Sequence, residues 1–411
     1  MNLRQAEDYL LDLELFGMRF GLDRMHKLMT ALGMPQRRFA SIHVVGTNGK
    51  SSTVRMIAGI LERHGLRTGS YTSPHLGSFT ERVEVGEQPV SGADFAAAVS
   101  RAAHAAELVN RTQEGGDTVT QFEALTAAVY HELARRGVEV AVIEAGLGGR
   151  YDATNVIPSK VQVLTNVGLE HTRWLGPTIT DIAEEKLAVV RQNATLVTGE
   201  LHPEAEVVAR RVVEERAARW VRAPETVDLR MRARGAFQRR NFALARAAAE
   251  AFLGELDEEA VARAAAEVQV PGRMQQVDER PLTLLDGAHN PSGARAVADA
   301  LPEVVGDRPL VGVFAVLDDK DAASMLEALL PKCERAIFTR CANPRSLPPA
   351  TLETLASKLG GPPSETAADP RVALARAREL AGPAGAVLAT GSIYLVADLV
   401  RAEVVARAST L

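Results

Sequence analysis

Residues 41–52, Ser-Ile-His-Val-Val-Gly-Thr-Asn-Gly-Lys-Ser-Ser, constrain this chain more than any other stretch. Ile42 to Val45 is a short apolar run that reads as a buried strand. Gly46-Thr47-Asn48-Gly49 is a turn of residue types that tolerate unusual backbone angles. Lys50, Ser51 and Ser52 then open Thr53 to Arg63, which has helical spacing with Gly59 as its single breaker. Strand, Gly-rich turn, Lys-Ser and helix in that order form a phosphate-binding loop. Its backbone N–H groups and helix dipole face an anion, Lys adds a point charge, and a Ser hydroxyl can hold Mg²⁺. The spacer between Gly46 and Gly49 is shorter than in the common version of this loop, so a Ser-capped helix start competes as a reading of the motif alone.

A chain of 411 residues exceeds one ordinary core, so more than one domain is expected. With 46% hydrophobic and 24% charged residues it reads as a soluble globular protein. The net charge of -5 argues against non-specific nucleic-acid binding. Cys333 and Cys341 are the only cysteines, which excludes a disulfide scaffold and a multi-cysteine zinc site and suits a reducing cytoplasm. Residues 1–15 lack the apolar core of a signal peptide, and no run is long enough for a membrane helix.

In chain order, residues 1–33 read as two helices broken near Gly17 and Gly21. Gly69 to Leu76 reads as a strand ending in a Ser73-Pro74 loop. Glu81 to Val85 alternates like an exposed strand with its charges in water. A helix is expected over 93–110, a loop over 114–117, and a helix from Thr120 to Arg136 with Thr120 and Glu123 as a capping box. Val138 to Ile143 is a buried strand that delivers Glu144 to its end, where Mg²⁺-binding acids of nucleotide enzymes sit. Gly146, Gly148 and Gly149 follow, where backbone can approach a ligand closely, and Arg150 and Asp152 are presented from that loop. Lys160 to Asn166 is another strand leading to Glu170 and His171. A helix spans 179–190, and the residues alone make its Lys186 a surface ion pair. Strands are expected at 195–198 and 226–234, with helices at 204–219, 237–253 and 257–267. Val270-Pro271-Gly272-Arg273 resists regular structure and marks an interdomain linker over 271–280, which separates a domain of residues 1–270 from one of 281–411. The second domain has strands at 282–285, 310–316, 335–339 and 386–389 alternating with helices. Both parts therefore read as open α/β units with parallel sheets. Asp286 and His289 lie at the first strand end of the second unit.

The residues also carry a resemblance. Gly-Thr-Asn-Gly-Lys-Ser at 46–51, Thr-Ser-Pro-His at 72–75, Glu-Ala-Gly-Leu-Gly-Gly-Arg-Tyr-Asp-Ala-Thr-Asn at 144–155 and Asp-Gly-Ala-His-Asn-Pro at 286–291 resemble the folylpolyglutamate synthase family of the Mur ligase superfamily. Glu-His-Thr-Arg-Trp-Leu-Gly at 170–176, Glu-Lys at 185–186, Pro-Gly-Arg at 271–273 and Gly-Ser-Ile-Tyr-Leu at 391–395 extend the match along nearly the whole chain.

The resemblance implies an α/β fold: a Mur-ligase-like phosphate-loop domain with a parallel-rich sheet, then a smaller Rossmann-like domain. It implies an ATP-dependent ligase that converts a carboxylate to an acyl phosphate, which the amino group of L-glutamate attacks. A bifunctional enzyme acting on dihydropteroate and on reduced folates is expected, with no nucleic-acid or membrane partner, as a cytoplasmic monomer. The implied ATP site comprises Thr47, Asn48, Gly49, Lys50, Ser51, Ser52, Gln238, Asn241, Arg273 and Asp286, with His289 nearby as a catalytic candidate. Ser51, Ser73, Glu144 and His171 are the implied metal ligands, for two Mg²⁺ ions, and a monovalent cation is a further candidate. Lys186 matches a lysine that is carbamylated in the family. Leu22, Asp23, Arg24, Thr120, Phe122, Glu123, Arg150, Tyr151 and Asp152 match segments lining the pterin pocket, where the planar fork of Arg150 suits a substrate carboxylate. Ser52, Glu170 and Leu187-Ala188-Val189 depart from the family pattern. A muramyl-peptide ligase and an ATPase switch are the competing functional readings.

Overall fold

The computed structural model describes residues 1–13, 21–113 and 117–401. The expected break at Gly17 and most of the 114–117 loop lie outside these. The first sheet contains β1 (Ala40–Val45), β2 (Thr68–Tyr71), β3 (Val83–Val85), β4 (Gln88–Pro89), β5 (Val140–Glu144), β6 (Val161–Leu164), β7 (Thr195–Thr198) and β8 (Arg219–Arg222). Its order is β4-β3-β2-β5-β1-β6-β7-β8, parallel except where β3 meets β2 and β4. The phosphate-loop strand β1 is central, with β5 and β6 on either side. Loops leaving the carboxyl ends of these three strands therefore share one crevice.

Alternation along the strands makes this a three-layer structure. Val140 and Val142 pack with helices 50–63, 236–253 and 258–267 on one face. Ala141 and Ile143 pack with helices 3–12, 23–31, 92–110 and 121–135 on the other. Both sides of β5 are covered, which is why its sequence is apolar throughout.

The second sheet contains β9 (Gln275–Glu279), β10 (Leu282–Leu285), β11 (Leu310–Phe314), β12 (Arg335–Phe338), β13 (Ser364–Thr366) and β14 (Ala386–Thr390), in the order β13-β12-β11-β14-β10-β9. All pairs are parallel except β9 with β10. Helices 291–305, 322–329 and 349–358 cover one face, and 370–381 and 393–400 the other.

Several local expectations are corrected. Residues 226–234 form no strand. Val227, Leu229, Met231 and Ala233 alternate because they lie against the helical layer, which satisfies a period-2 pattern without a ladder. The charges of 81–85 are not solvated. Glu81 accepts from the backbone N–H groups of Leu76, Gly77 and Ser78, and Arg82 is fully buried. Glu84 pairs with Arg55 at 2.7 Å, because β3 is an interior strand with helix 50–63 beside it. Residues 275–279, read as linker, are β9 of the second sheet. The short edge strands β8 and β13 carry too little apolar signal to be read from sequence. Cys333 and Cys341 are free and buried, and among the described residues no helix is long and apolar enough to cross a membrane.

Candidate active site

A cavity of about 960 Å³ lies between the two sheets' carboxyl ends. The phosphate loop forms its floor. Gly49 takes the left-handed conformation, φ 81°, which turns the chain into helix 50–63 and leaves the N–H groups of Lys50, Ser51 and Ser52 without partners inside the helix. A Cβ on Gly49 would lie 2.5 Å from Asn241 Oδ1, so the glycine also lets helix 236–253 reach the loop. Asn241 donates to Gln238 Oε1 at 3.0 Å, one helical turn earlier, and Gln238 thereby orients the Asn241 amide. Thr47 Oγ1 accepts from the Gly168 N–H at 3.0 Å. Lys50 Nζ donates to the Thr47 carbonyl at 3.1 Å, poised over the loop.

Glu144 ends β5 beside this floor and is buried. Ser51 Oγ donates to its Oε1 at 3.0 Å and the Ser73 N–H to its Oε2 at 3.1 Å. Burial raises the Glu144 pKa, against the pull of Lys50, the Ser73 and Ser51 hydrogen bonds, and Arg273. A buried carboxylate in that state gains most from a hard cation. The Ser51 hydroxyl and the Glu144 carboxylate, with Ser73 lining the same cavity, are oxygen donors of the kind that suits Mg²⁺. Among the described residues there is no cluster of three or more His, Cys, Asp or Glu that could hold a metal ion.

His171 lines the same cavity as Ser51, Ser73 and Glu144. It adopts φ 52° at the head of helix 172–175, and its Nε2 lies 4.0 Å from Glu170 Oε1. Partial enclosure by the cleft wall, which leaves the side chain 39% exposed, lowers its pKa to about 4, with Lys320 and Lys50 adding to the shift and Glu170 opposing it. It is therefore a neutral imidazole at physiological pH. Glu170 is the hub here, with Oε1 3.1 Å from His289 Nε2 and 3.6 Å from Lys320 Nζ. Its burial opposes ionisation, but His289, His171 and Lys320 together hold it well below the usual carboxylate range.

Lys186 is not a surface ion pair. It is buried, and Nζ donates to the Gly46 carbonyl at 2.8 Å. Burial, then Lys50, lowers its pKa to about 7, against Glu170 and Asp152. Much of this amine is therefore neutral and nucleophilic at pH 7. The loop 146–149 is glycine-rich for packing. A Cβ on Gly149 would lie 2.8 Å from the carbonyls of Glu185 and Lys186, and one on Gly146 would lie 2.6 Å from the Phe122 ring.

The opposite wall belongs to the second domain. Asp286 is buried and accepts from the N–H groups of Met274 (2.8 Å) and Ala288 (2.7 Å). Burial raises its pKa, with Arg273 opposing. Arg273, Gly287, Ala288, His289, Lys320 and Arg345 line the cavity.

Of the residues matched to the pterin pocket, Arg24, Thr120, Phe122, Glu123, Tyr151 and Asp152 line the cavity. Arg24 Nε meets both Glu123 oxygens at 3.0 and 3.1 Å, and its NH1 meets Asp117 at 2.7 Å. The Thr120–Glu123 capping box is present as well, so Glu123 has both roles. The structure does not bring Leu22, Asp23 or Arg150 to the cavity. Leu22 packs on the core, Asp23 is exposed, and the Arg150 fork is engaged by Glu185 at 2.8 Å. Sequence reasoning missed Thr165, Asn166, Asn290 and Ser292, which brace the phosphate loop. Polar residues just past an apolar strand were the available signal for Thr165 and Asn166.

A phosphate loop and strand-end acid in one domain, closed over by a second domain with its own buried acid, define a two-domain nucleotide-dependent ligase. Residues 44–215 match the Mur ligase middle domain, and residues 272–393 the Mur ligase glutamate ligase domain. The chain is 31% identical to the dihydrofolate synthase/folylpolyglutamate synthase of Bacillus subtilis, over 93% of this chain and 95% of that protein. It is 34% identical, over 97% of its own length, to a probable bifunctional folylpolyglutamate synthase/dihydropteroate synthase of Haloferax volcanii, of which it spans only 50%. The structure of Mycobacterium tuberculosis folylpolyglutamate synthase complexed with ADP and AMPPCP superposes with a TM-score of 0.90 at 33% identity, covering 97% of both chains. The chain belongs to the folylpolyglutamate synthase/dihydrofolate synthase family of ATP-dependent ligases.

Proposed function

We propose that this protein joins L-glutamate to the carboxylate of dihydropteroate and, in a second activity, to reduced folates. The Lys50–Ser51–Glu144–Ser73 constellation facing Asp286 across the cavity carries this reading. A carboxylate is a poor electrophile at neutral pH. Its oxygen attacks the γ-phosphorus of ATP, ADP leaves, and the acyl phosphate so formed has a good leaving group. The glutamate amine then attacks the acyl carbon, inorganic phosphate departs, and the nitrogen loses a proton. Lys50 and the N–H groups of Lys50, Ser51 and Ser52 stabilise charge that develops on the transferred phosphoryl group. Glu144, Ser51 and Ser73, together with His171, would hold Mg²⁺, which would offset further charge on the phosphate oxygens. Closure of the second domain excludes water from the acyl phosphate.

Two further assignments belong to this proposal. The Lys186 amine, buried and substantially neutral near pH 7, has the nucleophile needed to take up CO₂ as a carbamate, which would turn a cation into an anion behind the phosphate loop. Asn241, Arg273 and Asp286 hold the nucleotide, with Gln238 fixing Asn241.

The test is mass spectrometry of products after incubation with ATP, Mg²⁺ and L-glutamate, offering dihydropteroate in one reaction and tetrahydrofolate in another. A one-glutamate gain in both is expected. A gain with tetrahydrofolate alone would remove the first activity. No gain in either while ATP is consumed would turn the assignment to muramyl-peptide substrates or to an ATPase switch.

A further inference from the structure

Asn48 stands in the middle of the phosphate loop, yet none of its backbone polar groups faces the cavity unengaged. Its N–H donates to Asn166 Oδ1 at 2.9 Å, and its carbonyl accepts from Thr165 Oγ1 at 2.7 Å and Asn166 Nδ2 at 3.2 Å. The side chain alone is offered outward, and it crosses to the second domain. Asn290 Nδ2 donates to Asn48 Oδ1 at 3.0 Å, and Asn48 Nδ2 donates to Asn290 Oδ1 at 3.3 Å and to Ser292 Oγ at 2.9 Å.

The orientation of this amide pair is fixed from the second domain. Asn290 is the N-cap of helix 291–305, and its Oδ1 accepts from the Gly293 N–H at 2.8 Å and from Ser292 Oγ at 3.1 Å. Its NH₂ group must therefore point the other way, towards Asn48. Asn290 is 3% exposed, so water competes weakly for these bonds. Asn290 also follows His289 directly and lies four residues after Asp286, in the loop that forms the opposite wall of the cavity. Through Asn290, that loop is keyed in register to the turn that precedes Lys50.

We propose that Asn290 is a positioning residue. Its reciprocal amide pair with Asn48 sets the closed arrangement of the second domain, so that His289 and Asp286 are placed over the transferred phosphoryl group. Asn48 serves in this pair as the receiver of the second domain and contacts no phosphate through its backbone. The catalytic consequence rests on the ligase reading, whereas the domain closure does not.

Asn290→Ser tests this cleanly, because Ser also caps a helix and adds no charge near phosphate. Glutamate ligation kcat is expected to fall about tenfold, with the Kd for ATP, measured calorimetrically, within threefold of wild type. Asn48→Ala should reproduce that fall. The double variant should lose no more than Asn48→Ala alone, since that substitution already removes every side-chain hydrogen bond from Asn48 to Asn290 and Ser292, whereas independent roles would multiply to about a hundredfold. Small-angle X-ray scattering of each variant without substrates should show a larger radius of gyration than wild type. Unchanged kcat in folded Asn290→Ser, or a multiplicative double variant, would overturn the positioning role. An unchanged radius of gyration would overturn the closure. Loss of the ligase reading would show in the wild-type reactions and leave the scattering comparison standing.

Discussion

Ser51 Oγ lies 3.0 Å from Glu144 Oε1, joining the first turn of helix 50–63 to the end of strand β5, 93 residues along the chain. The loop that receives phosphate and the acid suited to its counter-ion are thus one hydrogen-bonded unit. Glu144→Gln keeps the volume and removes the charge. Its ligation kcat is expected to fall by about 10²–10³, the usual scale for losing one preorganised electrostatic group, with the melting temperature preserved. Lys50→Ala should do the same. Wild-type turnover in either folded variant, checked by circular dichroism, would remove the site.

Lys186→Ala is expected to lose ligation and to recover part of it when short carboxylates such as formate are added, because a free anion can occupy the space of the proposed carbamate. Steady-state rates across a formate titration check this. An undiminished rate without formate would sink the carbamate assignment.

Gly49→Ala should damage ATP binding far beyond what an added methyl suggests. The backbone there is left-handed at φ 81°, which costs an L side chain about 1–2 kcal/mol, and the new Cβ would sit 2.5 Å from Asn241 Oδ1. At least a tenfold rise in the Kd for ATP by calorimetry is expected. An unchanged Kd would show that Asn241 has no part in the site.

His43 gives a pH prediction. It is completely buried in β1, with Nε2 2.8 Å from Thr154 Oγ1, and burial, then Arg191, lowers its pKa from 6.5 to about 3. Between those values the unfolded chain binds the proton and the folded chain does not. The contribution is whole above pH 6.5 and is lost as pH falls towards 3, at up to about 1.4 kcal/mol per pH unit. His43→Gln should therefore flatten the decline of unfolding free energy between about pH 6 and about pH 4 by close to one proton's worth. Urea titrations of both proteins at several pH values measure the difference, and parallel curves would refute it.

The sequence by itself determined the local pieces. Apolar runs before Gly46, Glu144 and Asp286 marked buried strands, since a strand covered on both faces has no polar positions to show. The residue types in the phosphate loop specified an anion site, because backbone N–H groups at a helix start need no distant partner. Tertiary structure decided everything that depended on what lies opposite. Lys186 reads as a surface charge after two acids, and only the packing of its helix against the phosphate loop makes it a buried amine with a pKa near 7. Arg150 reads as a carboxylate fork, and only the nearness of Glu185 engages it. The pattern of 226–234 is that of a strand, and only the helices beneath it show that no neighbour is there to pair. Asn48 and Asn290 are 242 residues apart, and no local rule joins them; their pairing depends on how one sheet's carboxyl end faces the other's. Periodicity and turn chemistry act over a few residues, whereas burial, charge and pairing are set by contacts between segments that the chain order keeps far apart.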